Sequence, residues 1–392
     1  MDEPLTYPLT RSAPFDPPRE ILDLLPERPV ARVRYPDGRP GWLVTRHATI
    51  RAVLADPRFS ARQELRNSEF GEVGEVPPAA PGMFIGMDPP AHTRYRRLLT
   101  GQFTVRRMRA LAAHIEEIAE AHLDRMAAAG PPADLVEAYT APIPAQVICE
   151  LLGVPTAYRE EFARQVAVAA RRDTTAEERQ RFLTSISEYL GELVRHKRSA
   201  PADDLVSGLA ADRDARLTDE ELTNITIQLL GAGLGTTANV LALGTFALLL
   251  DPGQREAITA GETAEDAVEE LLRYLPIVPS TARTALQDVD LEGERVRAGE
   301  TVTLSLPGGN RDPRRFPDPG RLDLTRHAAG HLAFGHGVHQ CLGQQLARNE
   351  LRVAFPALFR RFPDLRLAVA PGDVPLRDDM VIYGVHALPV TW

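Results

Sequence analysis

Apolar residues recur every three to four positions through much of the chain, a spacing that predicts helices. Over Thr104–Ala128 they fall at Met108, Leu111, Ile115, Ile118, Leu123 and Met126. Pro142–Leu152, Arg181–Arg195, Ala264–Tyr274 and Leu342–Arg361 also read as helices. Towards both ends the pattern changes. Ala31–Tyr35 and Gly41–Thr45 alternate as a strand pair around Pro36-Asp37-Gly38. Strands with Gly turns are expected over Thr281–Leu306, and a β-like tail runs to Trp392. Residues 61–87, rich in Gly, Pro and Glu, have no period and read as a long loop, functional or disordered, with 61–86 the expected lid. Pro307–Pro319 reads as a Pro/Gly meander, and Pro-rich coil fills the chain to about Pro29. The expected fold class is mainly α with smaller β regions. No repeat or interdomain linker is visible, so residues 1–29 are read as the N-terminal segment of a single domain that continues over 30–392.

One stretch is apolar all round. Leu222–Leu250 carries no charged residue and is long enough to cross a bilayer. It begins at a capping box, Thr218 with Glu221, and stops at Asp251-Pro252-Gly253. Thr223, Asn224, Thr226, Gln228, Thr236, Thr237 and Asn239 interrupt it, and its flanks are acidic rather than basic. A helix buried through the core is the better reading, and no membrane partner is expected.

Composition narrows the classes further. The 392 residues are 44% apolar and 25% charged, which excludes a disordered or collagen-like chain. Lys plus Arg (45) against Asp plus Glu (54) leaves −9, which argues against a nucleic-acid partner. Two cysteines, Cys149 and Cys341, cannot form a disulfide framework and fit a reducing compartment. Met1-Asp2-Glu3-Pro4 has neither a basic nor an apolar leader region, so a cytoplasmic location is expected.

The most informative segment is His331–Gly343. Glycines at 335, 337 and 343 let backbone wrap closely around a bound group. Cys341 stands where a helical pattern begins, a position that favours thiolate, the metal-ligating form. Three other readings stay open on these residues: an inert cysteine, a zinc site from His327, His331, His336, His339 and Cys341, and histidines that are only loop polar groups. In the long apolar run, Gly231, Gly233 and Gly235 could open a dinucleotide site, but the second strand that reading needs is missing.

Phe-Gly-x-Gly-x-His-x-Cys-x-Gly, residues 334–343, resembles the haem-binding loop of the cytochrome P450 family. The resemblance runs from about residue 30 to 392 with its landmarks in order. It implies a triangular, mostly helical fold with haem b between the long distal helix and the Cys-loop helix. Cys341 would be the axial thiolate on the iron, pushing electron density that favours O–O cleavage. Phe334, Gly335 and Gly343 would frame the cofactor, and His339 would bind a propionate. His92 and Arg96, in Met87-Asp-Pro-Pro-Ala-His-Thr-Arg-Tyr-Arg96, and Arg283 would be the remaining propionate ligands. Glu270 and Arg273 resemble the family's structural ion pair, with Arg321 the expected third member.

Ala232, Gly233 and Thr236 match the distal helix of the family, where small residues open a kink for dioxygen and a threonine hydroxyl serves in protonation. The family's acid position there holds Gly235. Carried over by position, the substrate pocket takes Phe84, Ile85, Leu229, Gly233, Val278, Ser280, Met380 and Val381. The function implied is a monooxygenase that hydroxylates or epoxidises a lipophilic small molecule in secondary metabolism: a polyketide, macrolide, peptide or terpene. Electrons would come from NAD(P)H through ferredoxin reductase and ferredoxin, which would dock on a basic cluster of Arg94, Arg96, Arg97, Arg106, Arg107 and Arg109. The alternatives are oxidative coupling or peroxide-driven oxidation, because Gly235 replaces the acid, and a non-catalytic haem-binding or recruitment protein. A hydride-transferring oxidoreductase is a more distant rival.

Overall fold

A computed structural model describes residues 4–67, 76–155, 158, 162, 164–166, 168, 171–212, 214–259 and 264–392. Part of the expected lid, residues 68–75, lies outside the described residues. The chain divides into two compact units. The first takes Met1–Ala79, Ile85–His92 and Asp266–Cys341; the second takes Ala80–Phe84, Thr93–Glu265 and Leu342–Trp392.

The first unit is built on a six-stranded sheet. Its strands run in the order Leu5–Thr6, Val30–Arg34, Pro40–Val44, Thr301–Ser305, Ser280–Ala285, Phe59–Ser60. The expected strand pair is present and antiparallel, with Ala31 opposite Leu43. Val44, Val302 and Leu304 are fully buried and share a core cluster with Ile50 and Val53 of the helix His47–Ala55. The N-terminal segment is fixed to this unit: Arg311 donates to the Phe15 carbonyl, and the Tyr7 hydroxyl donates to Ser280 Oγ at 2.9 Å.

A buried ion-pair network also belongs to this unit. Glu270 and Arg273, both fully buried on the helix Ala264–Tyr274, bond at 2.6 and 2.8 Å. The third arginine is Arg326, whose Nε donates to Glu270 Oε1 at 3.2 Å. Arg321, the residue expected there, supplies only its backbone carbonyl to Arg273, and it is itself exposed. Both positions follow Pro319 closely, and it is the turn at 318–326 that decides which side chain returns to the carboxylate.

The second unit is helical. The expected helix over 104–128 is two, Val105–Ala110 and Ala112–Ala129, with Thr104 capping the first. Pro142–Leu152 matches its expected bounds, and the helix expected at 181–195 is longer, Ala176–Ser199. The long helix Asp219–Leu250 starts at the expected Thr218/Glu221 capping box. Among the described residues it alone is long and apolar enough to cross a membrane, and 72% of its most apolar window is buried inside the protein. Its neighbours in this unit include Pro142–Leu152, Ala176–Ser199 and Gln344–Arg361. A small sheet of Arg366–Leu367, Pro389–Thr391 and Ala133–Asp134 completes it.

Candidate active site

In the first unit the cysteine loop is shaped by two left-handed glycines. Gly335 and Gly337 have φ of 65° and 74°, a conformation that costs other residues about 1–2 kcal/mol. Gly337 is doubly constrained, because a Cβ there would run into the Leu54 carbonyl oxygen of the helix His47–Ala55. The turn closes with Gln340 N–H donating to the Gly337 carbonyl at 3.0 Å and Cys341 N–H to the Phe334 carbonyl at 2.9 Å. The Cys341 thiol is left exposed. Gly343 differs from expectation: its φ is −80°, its surroundings are open, and neither conformation nor crowding demands glycine. The following helix begins at Gln344, three residues after the cysteine rather than one.

Two histidines and an arginine accompany that thiol in the same unit. His92 is buried, and its ring lies 4.1 Å from that of His339 at an interplanar angle of 44°. Arg283, on the strand Ser280–Ala285, is 6% exposed and donates to the Ala282 carbonyl at 2.8 Å and Thr281 Oγ1 at 3.3 Å. Burial, with Arg66 adding to it, pushes its guanidinium down to about 10, against a weaker pull from Asp88. That carboxylate is already engaged by the Ser60 hydroxyl at 2.5 Å and the Ala61 N–H at 2.8 Å. A buried cation with no carboxylate bonded to it among the described residues is a strong demand for an anion. An exposed thiol, two imidazoles and such a guanidinium therefore fit a group that carries both a thiophilic metal and carboxylates, as haem does. Arg96 is one turn after His92 on the helix Ala91–Thr100 and belongs to the second unit.

The zinc reading fails on the same geometry. Among the described residues no three His, Cys, Asp or Glu side chains converge as a metal site. His327 pairs with Asp266 at 3.1 Å, and His331 pairs with Glu269 at 3.2 Å.

In the second unit the long helix runs without a break through Ala232–Thr237. The small residues expected to open a kink have another use at Gly233, where a Cβ would stand 2.6 Å from Ile148 Cγ1. Gly233 lets the helices Asp219–Leu250 and Pro142–Leu152 approach, a packing role rather than a pocket wall. Gly235 faces open space, with nothing nearer its missing Cβ than Asn239 Nδ2 at 3.9 Å. The Thr236 hydroxyl donates to the Ala232 carbonyl at 2.7 Å, and Asn239 Nδ2 donates to the Gly235 carbonyl at 2.7 Å. Ala232 is exposed.

Sequence reasoning missed Glu350. It lies on the helix Gln344–Arg361, is 3% exposed, and shares a hydrogen bond with the side chain of Thr237, the residue after Thr236. Burial pushes its carboxyl up to about 8, with Thr237 only partly opposing. A neutral carboxylic acid thus sits beside a helix whose acid position is glycine. The one signal in the sequence was an acidic residue nine positions after Cys341, on the apolar face of a helix.

The expected pocket residues are spread over both units. Phe84 is buried in the second unit, whereas Ile85, in the first, is 67% exposed. Leu229 and Met380 are buried, and Val381 is half-buried. Val278 packs against the first unit's core, and Ser280 accepts the Tyr7 hydroxyl. The basic cluster is reduced by one, since Arg94 is ion-paired with Glu221. Arg97, Arg106, Arg107 and Arg109 are exposed.

The fold, the glycine-shaped cysteine loop and the buried cation together define a haem-thiolate protein. A family model described as cytochrome P450 matches residues 262–381. Cytochrome P450 105C1 from a Streptomyces species is 49% identical over 391 residues, covering 99% of both chains. Mycinamicin IV hydroxylase/epoxidase of Micromonospora griseorubida is 40% identical over 396 residues, covering 100% of this chain and 99% of the relative. The crystal structure of CYP105P1 in complex with filipin I superposes with a TM-score of 0.93 at 41% identity, covering 100% of this chain and 99% of that one. The chain belongs to the cytochrome P450 family, the haem-thiolate monooxygenases.

Proposed function

We propose that the protein inserts one oxygen atom of dioxygen into a lipophilic natural product, by hydroxylation or epoxidation, in antibiotic or other secondary metabolism. The observation that carries this reading is the buried Arg283, with no carboxylate bonded to it among the described residues, in the same unit as the exposed Cys341. The activity in the name of the mycinamicin IV relative supports oxidation at carbon or across an alkene.

Haem, when bound, supplies the iron centre at which dioxygen is activated. Cys341 would ligate that iron as thiolate, with Phe334, Gly335 and Gly343 framing it. His92, Arg96, Arg283 and His339 would neutralise the propionates. Ala232 and Thr236 would line the oxygen side, and the Thr236 hydroxyl, which now donates to the Ala232 carbonyl, would turn its proton towards the reacting oxygen. Glu350 holds a proton at neutral pH and shares a hydrogen bond with Thr237, one residue further along the same helix. It is the chain's own replacement for the acid missing at Gly235, which favours ordinary oxygen insertion over coupling or peroxide-driven chemistry. Phe84, Leu229, Val278, Ser280, Met380 and Val381 would face substrate. Residues 30–392 would act as one catalytic domain in the cytoplasm. NAD(P)H, ferredoxin reductase and ferredoxin would deliver electrons, ferredoxin docking on the exposed arginines between Arg97 and Arg109.

The test is the carbon monoxide difference spectrum of the reduced protein. A long-wavelength band characteristic of thiolate ligation, absent in Cys341→Ser, is the expected result. A band characteristic of histidine ligation, or no haem, overturns the reading.

A further inference from the structure

Between residues 79 and 85 the chain leaves the first unit for five residues, Ala80–Phe84, and packs with the second. What holds those residues is a set of contacts with the first turns of the long helix. Asn224 Nδ2 donates to the Pro81 carbonyl at 2.8 Å. Gly82, at φ 93°, lies so close to the helix that a Cβ would run into the Glu221 carbonyl oxygen and stand 3.1 Å from Asn224 Cβ. The Gly82 N–H bonds to the Tyr95 hydroxyl, which in turn donates to Glu221 Oε1 at 2.8 Å.

Glu221 is the pivot. Its other oxygen accepts the Thr218 N–H at 2.8 Å and caps the long helix, while Arg94 completes an ion pair with it. Burial pushes its carboxyl up, but Arg94, the Thr218 N–H and the Tyr95 hydroxyl overcome that and hold it at about 2. The carboxylate is therefore charged at every working pH, and the set is permanently engaged.

We infer that Asn224, Gly82 and Tyr95 are positioning residues that fasten Phe84 to the long helix, so that this aromatic wall keeps its place with the oxygen-side helix. The inference rests on the monooxygenase reading, in which Phe84 faces substrate. Phe84 is buried, and its own N–H is turned back onto the Gly82 carbonyl at 2.9 Å, so its direction is set by the backbone that the helix grips. The device fixes the shape of the ligand a pocket accepts rather than the affinity of the iron.

Asn224→Asp is the direct test, because it keeps the shape and removes the donor. Asn224 is partly exposed near a helix N-terminus, where an added carboxylate is tolerated. Hydrogen exchange of residues 80–84 should quicken about fivefold in the variant, the size of one lost hydrogen bond. In the haem-loaded protein, 4-phenylimidazole should bind about fivefold more weakly by its absorbance shift, while imidazole, too small to reach a side wall, should bind unchanged. Gly82→Ala should move both readouts further in the same direction. Unchanged exchange, or equal losses for the two azoles, overturns the inference. Should the wild-type protein take up no haem, the monooxygenase reading falls, and the exchange comparison still decides whether Asn224 holds the segment.

Discussion

The cysteine loop of the first unit and the long helix of the second are both rich in glycine, yet glycine does different work in each. In the loop, Gly335 and Gly337 hold left-handed backbone, and at Gly337 a neighbouring carbonyl leaves no room for a side chain. In the helix the backbone is ordinary, and Gly233 and Gly244 matter for what approaches them: Ile148 at 2.6 Å and Phe355 at 2.6 Å from the missing Cβ atoms. Gly235, directly before Thr236, has neither constraint. A run of glycines is thus not one signal. Loop glycines fix a chain path, packed helical glycines fix a helix separation, and an unconstrained one marks a side chain the site does without.

That contrast is open to breaking with a single substitution type. Gly337→Ala should have the largest effect, about 3 kcal/mol or more, since it combines left-handed strain with a backbone collision. The denaturation midpoint and the haem content should fall together. Next, Arg326→Ala should cost about 2 kcal/mol by leaving fully buried Glu270 short of a partner, whereas Arg321→Ala should stay within about 0.5 kcal/mol. Equal losses would restore Arg321 as the third member of the network. Gly244→Ala should cost about 1–2 kcal/mol through overpacking against Phe355. Gly235→Ala should reverse the sign and stabilise the protein by about 0.5–1 kcal/mol, because an open helical glycine carries only the entropy cost. If all the helical glycines respond alike, the distinction drawn from their neighbours is wrong.

Glu350 sharpens the comparison through pH. Its folded carboxyl titrates at about 8 against an ordinary value of 4.5. Between those values the folded state holds a proton that the unfolded state has released. Its contribution to stability is therefore full below about 4.5 and lost as pH rises through about 8, with a slope of at most about 1.4 kcal/mol per pH unit. Glu350→Gln should flatten that part of the stability profile. It should also lower the fraction of reducing equivalents recovered as oxygenated product, and Gly235→Asp should recover part of that loss. Full coupling in Glu350→Gln alone would show that its proton is not used.

The sequence by itself determined the place of the cysteine loop and its left-handed glycines, the helix bearing Thr236 with its capping box, and the Glu270–Arg273 pair. The loop, the cap and the ion pair are each written within about a dozen consecutive residues, because a tight turn, a helix cap and an i, i+3 pair are local conformations with local side-chain requirements. Only the tertiary structure decided which arginine completes the Glu270 network, that Gly233 packs against Ile148, and that Glu350 is a neutral acid beside Thr237. It likewise assigned residues 80–84 to the long helix. Those facts depend on groups tens to more than a hundred residues apart being brought into contact and out of water. A side chain's partner and its proton affinity are set by that burial, which no stretch of neighbouring residues encodes.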